Sequence, residues 1–477
     1  MGLTNHLICA AALASFVFKE ARAALVIKNY SPLQGGTHML SPSTIKNQLL
    51  NIISYTNENK HLFVNKPQAD MSRQRKCPFE SLIGWILNLS SHCMNKEILE
   101  FWPMDPEKLP TKSAVVQQRN KINDDLFPFI FETFNKAFPF KEKWKGYHIL
   151  ACDGSDINLP TNKKDTENYM PYASGKGGYY QIHLNALYDI MEKRYTDIVV
   201  QPRPQMDERK ALCTMIQRNQ TGHKTIYICD RGYPSMNLMA HIMKNDQYFL
   251  FRCKPPQSPD SLFRHFQLPE NQEFCISKTI YVTRSHKKEY RNKPDIYKCI
   301  SSKYKFDFID INDKESLYKL SFKIICVRLD TGNYEYLISN LPTASLTLKD
   351  FKELYRLRWS EETSFQRLKY ALGLVYFHSY KRNFILQELY ARLIMYNFTA
   401  LMVACAEKDL QCSPDNKWEY RISFENAVHV AKEYLRNKMI NRDVVNLLQR
   451  CLSIVRPDRQ APRKVKSQHA LSLNNRS

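Results

Sequence analysis

The sequence predicts an α/β protein: a mixed sheet with helices on its faces, interrupted by an all-β insertion and flanked by a helical N-terminal domain and a helical C-terminal region. Three observations predict it. Strand-type runs alternate with helix-type runs over 146–253, the pattern of a sheet covered by helices. Segments rich in β-branched and aromatic residues, broken by charged turns, fill 254–344, which suits strands. Long apolar runs of helical length occupy 1–145 and 345–407, and the chain closes with 408–477, a helical region with a basic tail.

Within 1–145, Pro78 to Leu89 has the character of a core helix. Lys112 to Phe138 reads as a second helix, with Thr111 or Ser113 as its N-cap, because a hydroxyl there accepts from an otherwise unpaired amide. Arg119 and Lys121 stand on its polar face, where they are candidates for contact with DNA in a helix–turn–helix-like arrangement. The apolar run Leu7 to Phe18 has no preceding Lys or Arg and is too short to span a bilayer, so it reads as an amphipathic or core helix rather than a signal peptide. No other segment is expected to cross a membrane.

From 146 on, Tyr147 to Asp153, Tyr180 to Tyr188 and Tyr195 to Val200 read as a three-stranded meander. A helix over Asp207 to Asn219 follows, then a strand over Thr225 to Asp230, a helix over Ser235 to Asn245, and a strand over Tyr248 to Arg252. The order β-β-β-α-β-α-β is that of a ribonuclease H-like sheet. In the insertion, Glu273 to Thr283, Ile296 to Ser301, Tyr318 to Leu329 and Tyr334 to Ser339 are the expected strands. Long helices are expected over Thr347 to Leu372 and Ile385 to Ala406, and disorder over Arg456 to Ser477.

With 69 Lys and Arg against 47 Asp and Glu, the formal net charge is +22. A surplus of that size points to a polyanionic partner, because neutralising phosphates releases counterions. The 13 cysteines are scattered, with no CxxC pair and no zinc-ligand spacing. Cys152 and Cys229, each directly before an acid in an apolar run, read as buried small apolar residues in strands of a reducing cytosol.

Asp153 and Asp230 each end an apolar run and are followed by turn residues, Gly154-Ser155 and Arg231-Gly232-Tyr233. An acid at the C-terminal end of a buried strand lies where open α/β sheets bind ligands. Capping a turn is the ordinary role of a single such Asp; two on neighbouring strands converge and repel unless a cation lies between them. Hard oxygen ligands suit magnesium or manganese. Asp156, Asp189, Asp207 and Glu208 lie near this site and are weaker candidates for a supporting role.

Further on, Tyr355, Arg358, Glu362 and Lys369 are spaced at 0, 3, 7 and 14 residues. On one continuous helix they fall within an arc of about 60°. An Arg–Glu pair at i,i+4 explains two of them as surface pairing but leaves Tyr355 and Lys369 without a reason. Phosphodiester cleavage supplies one: a third carboxylate completes a metal site, and cations grip neighbouring phosphates.

The spacing Tyr355-x2-Arg358-x3-Glu362-x6-Lys369 resembles the YREK signature of the insertion sequence 4 family of DDE transposases. Asp153-Gly-Ser and Asp230-Arg-Gly-Tyr look like that family's two Asp motifs, and Leu337 to Pro342 looks like its lead-in to the last acid. The resemblance implies that Asp153, Asp230 and Glu362 hold two magnesium or manganese ions. It further implies that Tyr355, Arg358 and Lys369 contact phosphates near a transposon end, and that a homodimer works on double-stranded DNA ends and target DNA. The implied activity is cut-and-paste transposition. The alternatives are a nuclease of the same fold that does not integrate, and an inactive DNA-binding relic.

Overall fold

A computed structural model describes residues 40–73, 75–219, 222–342, 346–408, 410, 418–436, 439 and 441–455. The expected N-terminal helix over Leu7 to Phe18 and the expected disorder from Arg456 onward lie outside them. The chain divides into two compact units. One, mostly helical, takes the described residues up to Phe140, Ile157–Tyr180, and those from Gln366 on; the other, built on a sheet, takes Lys141–Asp156 and Gln181–Phe365.

The helical unit starts with α1 (Pro42–Glu58), α2 (Phe79–Asn88), α3 (Met94–Phe101), α4 (Lys112–Arg119) and α5 (Leu126–Ala137). Lys112 to Phe138 is thus two helices rather than one. Asn120–Asp125 leaves the helix to let Ile122 form a bridge with Val64. Thr111 does cap α4, accepting from the Ala114 amide at 3.2 Å.

The sheet unit carries most of β1 (His148–Leu159). The short β2 (Tyr169–Pro171) pairs with the first residues of β3 (Gly178–Asp189), and β4 (Arg194–Pro202) pairs antiparallel with the rest of β3. Next come α6 (Glu208–Arg218), β5 (Thr225–Cys229), α7 (Met236–Lys244) and β6 (Tyr248–Cys253). Asp207 caps α6 and Ser235 caps α7 through their side chains, as residues that accept from free first-turn amides do. The strands β1, β5 and β6 are parallel. Leu212, Met215, Leu238, Met239 and Ile242 of the helices are buried with Leu150, Cys152, Tyr227, Cys229, Phe249 and Phe251 of these strands. Covered strands are uniformly apolar for this reason.

The segment 254–344 contributes β7 (Phe274–Thr283), α8 (Lys288–Arg291), β8 (Tyr297–Cys299), β9 (Tyr318–Arg328) and β10 (Tyr334–Ser339). Its strands continue the same sheet, because β10 pairs antiparallel with β6 and β9 with β10. The order runs β3-β1-β5-β6-β10-β9-β7-β8. Strand periodicity shows where strands are, not which edge they add to.

The expected helix over Thr347 to Leu372 is broken. It consists of α9 (Leu348–Arg356), a turn at 357–358, α10 (Trp359–Gln366) and a π-helical turn over Arg367–Ala371. Thr347 and Asp350 form a capping box that starts α9. The division between the units falls at Phe365 and Gln366, so the stretch 345–407 does not stay in one body.

The helical unit then takes α11 (Arg382–Lys408), β11 (Glu419–Ile422), α12 (Phe424–Leu435), α13 (Asn441–Arg450) and β12 (Leu452–Val455). The helix α11 is long and apolar enough to cross a bilayer, contrary to expectation, but 83% of its apolar window is buried inside the protein. It packs on α1, α2, α5, α12 and α13, as the central helix of a bundle does.

Candidate active site

The parallel ladder of β1 and β5 ends with Cys152 opposite Cys229. The next residue of each strand is an acid, so Asp153 and Asp230 leave the ladder at the same end. Asp153 does not terminate its strand, as expected, but lies inside it: β1 runs on to Leu159, half-buried from Asp153 to Asp156 after five buried residues. Asp230 does enter a turn after β5.

Burial raises the Asp153 carboxyl to about 6, helped by the Glu208 and Glu362 charges and opposed by the Gly154 amide and Arg358. Asp230 accepts from the Tyr355 hydroxyl at 3.4 Å and lies 3.9 Å from the Arg252 guanidinium. Arg358, only 2% exposed, donates from Nη2 to Glu362 Oε1 at 3.0 Å. Burial alone would lower the Arg358 pKa, but Tyr355, Asp230 and Glu362 raise it well above the ordinary value. Arg358 is thus a buried cation paired with Glu362, and its charge is also felt by Asp230 and Asp153. Burial, against the pull of Arg358, also raises the Tyr355 phenol well above its usual range.

Lys369 lies in the helical unit, on the π-helical turn. The one-face argument for the four spaced residues needs an unbroken helix, and the breaks at 357–358 and 367–371 remove it. Within the sheet unit, Tyr355 still meets Asp230 and Arg358 still pairs with Glu362.

Arg119 does not fit the expected DNA-facing role. It is fully buried, donates to Gln387 and to the Phe384 carbonyl, and pairs with the buried Glu388 at 2.9 Å. A guanidinium enclosed in this way has no donor to offer a phosphate. Lys121 is half-buried in the turn after α4, with Nζ 3.2 Å from Gln118.

Several neighbours were not singled out as site residues. Arg252 pairs with Glu335 at 2.8 Å, and a charge inside an apolar strand is the signal that marks it. Glu361 is fully buried, and its carboxyl is raised well above the ordinary value by burial and then by Asp153. His183 donates or accepts between Asp156 (2.6 Å) and Glu208 (3.1 Å); Asp156 also pairs with Arg203 at 2.8 Å. Nothing in the local sequence marks His183.

Among the described residues no group of three His, Cys, Asp or Glu side chains stands close enough to hold a metal ion as placed. The donors nevertheless suit a divalent cation. They are hard carboxylate oxygens, and burial first, then the Glu208 and Glu362 charges, raise the Asp153 carboxyl.

The fold is a mixed α/β sheet in which Asp153 and Asp230 follow the paired residues Cys152 and Cys229 of adjacent parallel strands. The transposase DDE domain family matches residues 144–398, more than half of the chain, and this protein belongs to that family. No curated protein compared with the chain matches it. A solved structure of the piggyBac transposase synaptic complex with hairpin DNA is similar over 88% of this chain and 87% of that one. Its TM-score is 0.42 and its identity 10%, too distant to bear on the site.

Proposed function

We propose that this transposase is a cut-and-paste enzyme of the insertion sequence 4 type, with Asp153, Asp230 and Glu362 as its acids. The observation that carries the reading is the side-by-side exit of Asp153 and Asp230 from paired parallel strands, with Arg358 buried against Glu362. The YREK spacing supports it.

Asp153, Asp230 and Glu362 would hold two magnesium or manganese ions. Bound there, such ions lower the pKa of water and neutralise charge on the scissile phosphate. Arg358 is held by Glu362 and by the Tyr355 and Trp359 rings, where its enclosed charge offsets the acids; the phosphate contact that the resemblance implies for it requires the pairing with Glu362 to open. Tyr355 places a hydroxyl at Asp230, and with its pKa raised it stays protonated and serves as a donor. Lys369, on the helical unit, is read as a phosphate contact from the YREK spacing alone. Hydrolysis frees a 3′-hydroxyl, which then attacks the next phosphodiester for strand transfer. A homodimer on paired ends of double-stranded DNA, in a bacterial cytoplasm, completes the reading, and the +22 charge suits that partner.

Magnesium-dependent nicking of duplex DNA carrying the element's own ends tests this, followed by strand transfer of pre-cut ends. Full nicking by Glu362→Ala would overturn the assignment of the acids. Nicking without strand transfer would favour the non-integrating nuclease.

A further inference from the structure

The first turn of α6 holds a carboxylate between the two acid-bearing segments. A Cβ on Gly154, the residue after Asp153, would lie 2.4 Å from Glu208 Oε1 and 2.2 Å from His183 Nε2. A Cβ on Gly232, two residues after Asp230, would lie 3.4 Å from Glu208 Oε2. One oxygen of Glu208 therefore rests on the first acid segment and the other faces the second. The approach to Gly154 needs glycine, while that to Gly232 is at ordinary contact distance.

Glu208 is not placed by chance. His183, itself buried, bonds Glu208 Oε1 at 3.1 Å through Nε2 and Asp156 Oδ1 at 2.6 Å through Nδ1. Arg203 backs Asp156 at 2.8 Å. The neighbouring Arg209 donates from Nε to the Gly232 carbonyl at 2.9 Å, so the same helical turn ties down the second segment by its backbone. The Asp207 cap, bonded to the Lys210 amide at 2.9 Å, fixes that turn's start. A chain Arg203–Asp156–His183–Glu208 thus runs from the turn after β4 across β1 and β3 to a wedge between the two segments.

From this geometry we infer that Glu208, oriented by His183, is a positioning residue of the active centre that sets how the Asp153 and Asp230 carboxylates are presented to a divalent cation. The inference rests on the reading of Asp153 and Asp230 as metal-holding acids. Groups that orient ligating carboxylates govern metal affinity more than maximal rate; their loss typically costs about 10–100-fold in affinity or activity. Glu208 and His183 touch glycines and each other rather than DNA, so their removal should shift metal dependence and spare DNA affinity.

The test uses the full chain without metal, titrated with manganese(II) and followed by electron paramagnetic resonance. In parallel, nicking is measured against magnesium concentration. Glu208→Gln keeps the side chain's length and removes its charge; His183→Gln removes the ring that holds it. Asp153→Asn is the reference for a lost ligand and Asp260→Asn for a surface carboxylate.

Both Glu208→Gln and His183→Gln are expected to weaken manganese binding by about 10–100-fold. Both should raise the half-saturating magnesium concentration by a like factor, with the rate at saturating magnesium within a few-fold of the parent. Should Glu208→Gln not fold, judged by circular dichroism, His183→Gln carries the same comparison. Parent-like manganese binding by both variants, with binding lost in Asp153→Asn, overturns the role of Glu208 and leaves the assignment of the acids standing. Parent-like binding by Asp153→Asn overturns that assignment and the inference with it.

Discussion

Arg358 Nη2 lies 3.0 Å from Glu362 Oε1, one turn further along the chain, and the guanidinium is 2% exposed while the carboxylate keeps 20%. The cation is the enclosed partner and the acid the accessible one. An i,i+4 pair on a solvated helix would leave both exposed and contribute a few tenths of a kcal/mol. Here the arginine's charge also acts on Asp230 and Asp153, so it offsets the negative charge of the neighbouring acids.

Arg358→Lys should therefore behave nearly as badly as Arg358→Ala. An ammonium cannot reproduce the planar fork or the contact with the Tyr355 and Trp359 rings. Both are expected to lower the nicking rate at least about 100-fold, the scale of losing one preorganised donor. Single-turnover nicking at saturating DNA measures it; a lysine variant within a few-fold of the parent would remove Arg358 from the site.

Asp153→Asn separates activity from stability. The folded carboxyl titrates at about 6, above its ordinary value of 3.8. A raised acid contributes stability below the unfolded value that is lost as pH rises through the folded one. At pH 7 the ionised Asp153 thus costs stability, and the amide should raise the melting temperature by up to a few degrees while abolishing cleavage. Magnesium should stabilise the parent and not this variant. Calorimetry at pH 7, 5 and 3.5 reads both effects: the gain should shrink at pH 5 and vanish only below the unfolded value of 3.8.

Arg119→Ala is predicted to be a folding defect rather than a DNA-binding one. Arg119 and Glu388 are both 0% exposed, and removing one partner of such a pair costs about 3–5 kcal/mol. Chemical denaturation should show that loss. The refolded variant should bind nonspecific duplex DNA with unchanged salt dependence.

The same buried cluster makes stability fall at alkaline pH. Burial pulls His378 down, but Glu388 and then Glu97 overcome it and hold its pKa at about 9. Its stabilising charge is complete below the unfolded value of about 6.5 and is lost as pH rises through about 9. Melting temperature should decline between pH 7 and 9.5 in the parent, and His378→Gln should flatten that decline.

The strands were legible from local sequence because their cause is local. Apolar runs such as Ile149 to Cys152 and Thr225 to Cys229 have nowhere to go but a covered sheet, and an acid closing such a run has no apolar partner to seek. Caps such as Thr111, Asp207 and Ser235 act within a few residues, and they fall where their hydroxyl and carboxyl groups predict. The breaks at 120–125 and 357–358 were not legible, since the interactions across them come from outside the helix.

By itself the sequence determined that two acids would follow buried strands, that an Arg and a Glu would stand one turn apart, and that the surface would carry a large positive charge. Only the tertiary structure decided that Arg119 is enclosed by Glu388, that Arg358 is buried against Glu362, and that Glu208 and His183 wedge against Gly154. The physical reason is distance along the chain. Burial and hydrogen bonding are set by whichever segment arrives alongside, and no periodicity within a window records which one that is.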